Sequence, residues 1–367
     1  MKETKQVKKQ KISKFSIFLI VVDILVLICF FLAYGPISYF RDLYVTTAMT
    51  TMTHKYFAYV LYSEETVKKV LDNNKIVEPE ENTDSSAINF NPKFETDDYE
   101  SIYEEQILKK DKGNDVYKLL DISGDGWKGY MVVIYDPSDI KLVFASNYGR
   151  GGKYISTMAE DNDALVAMNA SGVKSSVGRN PITGTAILNG KVYDTGRKIN
   201  KGGGLIGFTK NNVLMLTKKS AKEAIKDGMD RAVEFGPFLI VNGKPATFKG
   251  NGGWGIANRT AIGQRQDGIV LFVVIDGRQR GSMGISMVDL VKLFQKYKAY
   301  NAANLDGGGS SALYARTDIN KKSSGKLINN PVGYGYSGER NLPNAWMVLP
   351  NVIKKHAEEK EAEENNE

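Results

Sequence analysis

The chain's 367 residues are 42% hydrophobic and 25% charged, enough apolar material for one large domain or two modest ones, with a formal net charge of +7. A single cysteine, Cys29, excludes intrachain disulfides and a cysteine-based zinc site, and two histidines, His54 and His356, argue against a Ser-His-Asp triad or a His-ligated catalytic zinc. No helix-turn-helix, zinc-finger or aromatic-basic RNA-binding pattern accompanies the positive charge, so nucleic acid is rejected as a main partner.

Much of that charge is local. Lys2, Lys5, Lys8, Lys9, Lys11 and Lys14 precede residues 15–34, FSIFLIVVDILVLICFFLAY, which are long enough to cross a bilayer as a helix and carry one charge, Asp23. A cleavable signal peptide shares the basic start and apolar centre. The run is long for a signal, however, and Tyr34-Gly35-Pro36 offers no small-x-small cleavage site. An uncleaved anchor is expected at the cell membrane, with residues 1–14 as a cytoplasmic basic tail and everything beyond Gly35 extracytoplasmic, because the lysines lie before the run.

Residues 35–116 read as juxtamembrane helices and a flexible linker. Met49, Met52, Tyr56, Tyr59 and Val60 recur at helical spacing, which predicts one amphipathic helix over 46–62 with an apolar packing face. Ser63 followed by Glu64 and Glu65 marks a second helix start, running to about Leu71. Residues 72–98 are acidic, rich in Asn, Glu and Ser, and without periodicity, as a flexible stalk would be. Asp121-Ile122-Ser123-Gly124-Asp125-Gly126-Trp127 lacks the acidic spacing and closing Glu of a calcium loop and reads as a turn.

Over 117–350 the texture is that of a folded domain. Apolar β-type runs at 129–135, 164–168, 238–241 and 269–275 alternate with Gly, Asn and Asp turns, and Asn189-Gly190, Asn242-Gly243 and Asp267-Gly268 separate strands as hairpin turns do. One clear helix starts at Ser286, with Asp289 three residues on, and runs to about Tyr300. Many strands and few helices predict an α+β, sheet-rich domain preceded by one transmembrane helix. Residues 351–367 form a charged tail.

The unusual residues gather at strand ends. Asn304-Leu305-Asp306-Gly307-Gly308-Gly309-Ser310-Ser311 sets a carboxylate and two hydroxyls on a glycine bend that a ligand can approach closely. Asn169-Ala170-Ser171-Gly172, Arg259-Thr260-Ala261-Ile262-Gly263, Asp276-Gly277-Arg278 and Glu339-Arg340-Asn341 stand in similar places. Converged, they would offer two or three carboxylates, two or three guanidinium groups and several amides to a phosphorylated or glycosidic ligand. Gly202-Gly203-Gly204 and Gly252-Gly253 lack the Lys-Ser/Thr of a P-loop and read as loops flanking the site, and Gly149-Arg150-Gly151-Gly152 as a structural turn.

These motifs, with Gly236-Pro237, Asn242-Gly243-Lys244 and Asn330-Pro331, resemble those of the phosphodiester glycosidase family over about 129–350. That family includes the lysosomal uncovering enzyme and bacterial exopolysaccharide-associated proteins. The chain departs from the family's usual Asn-Gly-Gly-Phe at Asn169-Ala170-Ser171-Gly172, where only Asn169 matches. The resemblance implies hydrolysis of a sugar-1-phosphodiester between the anomeric carbon and the phosphate oxygen, with a sugar-phosphate diester of a cell-surface glycan as substrate.

On that basis Asp306 and either Asp276 or Glu339 are expected as nucleophile and water-activating base. Arg259, Arg278 and Arg340 are expected on the phosphate, and Asn169, Thr260 and Ser310 on sugar hydroxyls or phosphate oxygens, with Gly307 and Gly308 lining the bend. No cofactor is required; the acidic groups could hold a divalent cation, but their spacing does not demand one. The rival class is a non-catalytic envelope protein that binds or assembles polysaccharide.

Overall fold

A computed structural model of the chain describes residues 13–51, 54–92, 94, 98–174, 180–194, 203–350 and 358. The basic stretch before Ser13, Met52 of the expected helical stripe, Gly202 and all of the charged tail but Glu358 lie outside these residues. The chain forms two compact units, Met1–Asn74 and Lys75–Glu367.

In the first unit, α1 (Lys14–Tyr34) is capped by Ser13, whose hydroxyl accepts from the Ser16 amide at 3.0 Å, and it ends at Gly35 before Pro36. None of its residues is buried, and it is long and apolar enough to cross a membrane. It is followed by α2 (Ser38–Thr50), α3 (Tyr56–Leu61) and α4 (Glu64–Asn73). The single helix expected over 46–62 is therefore two. Thr50 and Thr51 turn their hydroxyls back onto the Thr47 and Ala48 carbonyls at 2.8 Å, and Thr51 also accepts the His54 amide at 3.0 Å. Local side-chain bonds of this kind compete with the helical ladder. Ser63 caps α4 as the sequence implies, accepting from the Thr66 amide at 3.3 Å. Val45, Ala48, Ala58, Tyr62, Val67 and Val70 form the unit's interior.

The second unit is built on antiparallel sheet. Its largest sheet has seven strands in the order Lys244–Pro245, Phe238–Val241, Ala299–Leu305, Arg259–Arg265, Val270–Ile275, Trp127–Ile134, Tyr117–Gly124. The run at 270–275 is continuously apolar because both faces are covered. Val270, Phe272 and Val274 enter a core shared with two five-stranded sheets, while Leu271, Val273 and Ile275 pack under α5 (Ile102–Leu108) and a helix, Met287–Lys296, that lies later in the chain. Gly263 lets that later helix come close, since a Cβ there would lie 2.7 Å from the Phe294 ring. Burying a side chain such as Phe294 stabilises the unit by roughly 1.5–3 kcal/mol. The helix starts at its Ser286 cap as expected but stops at Lys296, and Ala299 already belongs to the next strand.

One five-stranded sheet runs Gly325–Leu327, Leu313–Arg316, Val166–Asn169, Asn344–Val348, Ile140–Phe144, with α6 (Ile155–Asp161) on its outer face. The other runs Lys191–Asp194, Thr185–Leu188, Met229–Phe235, Gly204–Thr209, Leu214–Thr217. The hairpin turns fall where they were predicted, with positive φ at Asn189, Gly190, Asn242, Gly243 and Gly268.

The stalk expected over 72–98 is corrected over much of its length. Lys75–Val77 pairs with Thr247–Lys249. Glu78 accepts the Gly203 and Phe238 amides at 2.6 and 3.0 Å, and the Asp84 amide donates to Asn242 at 2.8 Å. Its polar residues, which made it look solvated, are the ones that fasten it to the domain.

Candidate active site

Strand register brings the two aspartates to one place. Arg259 pairs with Ile275 and Thr260 with Leu305, so the chain leaves the sheet at Asp276 and at Asp306 on either side of Asn258-Arg259. Two strand spacings put their backbones about 10 Å apart. The Gly308 amide donates to the Asn258 carbonyl at 3.0 Å, which draws the glycine loop across the start of the Arg259 strand. Gly307 is required there, because a Cβ would lie 2.7 Å from that carbonyl oxygen.

A hydrogen-bond chain runs beneath the loop. Asn169 donates to the Asp306 carbonyl at 2.7 Å and accepts from the Thr260 hydroxyl at 2.9 Å and the Ala312 amide at 3.1 Å. The Thr260 and Ser311 hydroxyls meet at 3.1 Å. Asn329 donates to the Ser311 carbonyl at 3.1 Å and to Asp276 Oδ1 at 3.2 Å. Asn169 and Thr260 are wholly buried in this chain. They join the two aspartates from below, and their polar atoms are already occupied.

The three carboxylates differ sharply. Glu339 is buried and well paired: Oε1 accepts the Ser156 amide at 3.0 Å, and Oε2 accepts the Ser156 and Ser337 hydroxyls at 2.5 and 3.0 Å. It thereby pins its own loop to the first turn of α6. Asp276 accepts from Asn329 and from the Asn330 amide at 3.0 Å, yet burial still raises its pKa above the usual value. Asp306 is the least compensated, with its Oδ2 sealed from solvent and lacking a hydrogen-bond partner among the described residues. Burial pushes its pKa up to about 6, against the opposing influence of Ser310, Arg340 and the Val173 amide.

Two of the cations flank the same loop. The Arg340 guanidinium donates to the Ser310 hydroxyl at 3.2 Å and lies 3.3 Å from where a Cβ on Gly309 would be. The Arg278 guanidinium lies 3.8 Å from the corresponding point on Gly308. Arg259 is buried, donates to the Trp254 and Gly255 carbonyls at 2.6 and 3.0 Å, and pairs with no carboxylate among the described residues. Burial, with Arg278 nearby, pulls its pKa down to about 9. A buried cation without a counter-charge favours an incoming anion. Among the described residues, no group of three or more His, Cys, Asp or Glu is placed to hold a metal ion.

Sequence reasoning missed Asn258 and Asn329. Asn258 is wholly buried between the two aspartate loops, and both its amide atoms lack partners among the described residues. Its only sequence signal was adjacency to Arg259.

The phosphodiester glycosidase family matches residues 162–349, which contain every one of these groups except Ser156. The chain belongs to that family. The SPbeta prophage-derived uncharacterized protein YomE of Bacillus subtilis strain 168 is 32% identical over 182 residues, 47% of this chain and 26% of YomE, so the match spans about a quarter of that relative. The catalytic domain of zebrafish N-acetylglucosamine-1-phosphodiester alpha-N-acetylglucosaminidase, auto-inhibited by its pro-peptide, is similar in fold. The TM-score is 0.52 at 18% identity, covering 65% of this chain and 85% of that domain. The strand Trp127–Ile134 precedes the family match but pairs along the whole of Val270–Ile275, so the folded unit extends beyond the matched segment.

Proposed function

We propose that the chain is a membrane-anchored hydrolase that cleaves a sugar-1-phosphodiester in a cell-surface glycan or exopolysaccharide. Family membership and the substrate in the zebrafish protein's name support this substrate class. The observation that carries the reading is the enclosed oxygen of Asp306, unpartnered among the described residues, on a glycine loop flanked by the Arg278 and Arg340 guanidinium groups. Ionised Asp306 takes a proton from the attacking water, or adds to the anomeric carbon to form a glycosyl ester that water then hydrolyses to free sugar and the carboxylate. The carbon–oxygen bond to phosphate breaks, and its electron pair leaves with the phosphate oxygen. Arg278 and Arg340 offset that charge, with Arg259 behind them. A phosphate is a good leaving group, so charge stabilisation matters more than a strong general acid.

Asp276 is the second carboxylate facing the sugar. Glu339 is a positioning residue that fixes Arg340, and Asn169 and Thr260 are positioning residues that hold the Asp306 turn. Ser310 orients Arg340 and Asp306, while Gly307 and Gly308 leave room for the ligand. α1 holds the enzyme in the membrane, with its lysine-rich end in the cytoplasm and the domain outside; protease added to intact cells should then remove the domain, and full protection would reverse the orientation.

Incubating the purified chain with sugar-1-phosphodiesters should release free sugar and phosphomonoester in equal amounts. Glycan binding without any sugar release would favour the non-catalytic envelope protein instead.

A further inference from the structure

The first unit carries an apolar surface that its own fold does not cover. Tyr56, Phe57, Tyr59 and Val60 of α3 are 55, 42, 46 and 70% exposed, and Phe40 of α2 is 42% exposed. Of the α3 side chains, Ala58 alone is buried. The exposed residues of α4 are by contrast Glu64, Glu65, Lys68 and Lys69 among others, so the same unit also has a face suited to water.

Two hydrogen bonds fix where the apolar surface sits relative to α1. The Tyr34 hydroxyl, at the last residue of α1, donates to the Leu61 carbonyl at 2.9 Å. The Tyr62 hydroxyl donates back to the Ala33 carbonyl at 2.9 Å, and the two rings lie 5.8 Å apart. Tyr44 of α2 adds a third tie, donating to the Phe57 carbonyl at 3.2 Å. α3 is thus fastened to the end of the apolar run. At 1.5 Å per residue it is about 9 Å long, far too short to cross the roughly 30 Å hydrocarbon core. Tyrosines concentrate at that depth because the ring is apolar and the hydroxyl is not.

We infer that α3, with Phe40, docks into the headgroup boundary of the bilayer that α1 crosses, burying its aromatic face in lipid. The partner is the membrane surface itself, identified by continuity: whatever depth the end of α1 takes, its hydrogen bonds impose on α3. An interfacial helix of this kind lies roughly 5–10 Å into the headgroup and acyl boundary. The inference rests on α1 spanning a bilayer, as in the proposed function.

The full chain in phosphatidylcholine–phosphatidylglycerol vesicles separates the two ideas. Ile24→Trp marks the middle of α1, while Phe57→Trp and Tyr59→Trp mark α3. Each is read as emission in excess of the parent, whose Trp127, Trp254 and Trp346 all lie in the other unit. Lipids carry a quencher either near the top of the acyl chain or near its end. The α3 variants should lose more emission to the shallow quencher, and Ile24→Trp more to the deep one. Loss at Ile24→Trp with none at either α3 variant, where acrylamide in the water quenches instead, would overturn docking and leave the anchor intact. No loss at Ile24→Trp would overturn the anchor. Two α3 positions keep the test decisive if one variant fails to fold, as judged by circular dichroism.

Discussion

Asp306 and Glu339 both end up beside Arg340, on glycine-bearing loops of the same site, yet their surroundings are opposite. Glu339 accepts three hydrogen bonds, two of them from Ser156, with both oxygens partnered. Asp306 keeps one buried oxygen with no partner among the described residues, and its pKa rises to about 6. A carboxylate whose lone pairs are filled holds structure. One whose charge the fold compensates only in part is available to a proton or to carbon, and its folded environment bears the energetic cost.

The sharpest way to break this contrast is Asp306→Asn. Turnover should fall on the order of a hundredfold or more, since Asn serves neither as nucleophile nor as base. Stability should move the other way. A pKa raised to about 6 means that Asp306 costs the fold nothing below its unfolded value of 3.8 and increasingly destabilises it as pH rises through about 6. Asn lacks that charge, so the variant's melting temperature relative to wild type should climb between acid and mildly alkaline pH. The full effect is at most about 3 kcal/mol. Melting curves at both pH extremes check it, and a variant that is less stable at the alkaline end would make Asp306 a structural cap.

Arg340→Ala tests the shared neighbour. Losing a cation that opposes charge build-up should cost roughly a hundredfold in kcat/KM. Because Arg340 lowers the Asp306 pKa, the acidic limb of the rate profile should also move to higher pH. An unmoved limb would separate the two groups.

Glu339→Gln should show the reverse of Asp306→Asn. Replacing charge-assisted bonds to Ser156 and Ser337 should destabilise the fold by about 1.5–3 kcal/mol. Turnover per folded molecule should drop by no more than about tenfold, as expected of a residue acting through Arg340. Thermal melting and sugar release on one preparation distinguish this from a catalytic role. The smallest effect belongs to Glu78→Gln, a carboxylate as well paired as Glu339 but outside the aspartate loops. Its carbonyl can still accept from Gly203 and Phe238, and only the partly exposed Lys218 pair at 2.7 Å is weakened. The loss should be at most about 1 kcal/mol, with turnover unchanged.

What could be read from the chain beforehand follows how local its cause is. The strand at 270–275, the Ser63 and Ser286 caps and the Asn-Gly turns are decided by side-chain period and by neighbours a few residues away, and they stand where periodicity and turn chemistry put them. The attachment of residues 75–84 could not be read, because Glu78 and Asp84 find partners more than a hundred residues away. The convergence of Asp276, Asp306 and Arg340 was legible as a set of polar residues at strand ends. Which acid would be paired was not: Asp306 and Glu339 look alike in sequence, and only the approach of Ser156 divides them. Asn169 and Thr260 looked ligand-facing for the same reason, since nothing local shows that they bond to each other.

The most direct measurement is the pH dependence of kcat/KM for sugar release from a sugar-1-phosphodiester that does not itself titrate between pH 4 and 8. Catalysis through ionised Asp306 predicts an acidic limb that falls as pH drops through about 6. A rate that holds constant until the ordinary aspartate range, near pH 4, would contradict it.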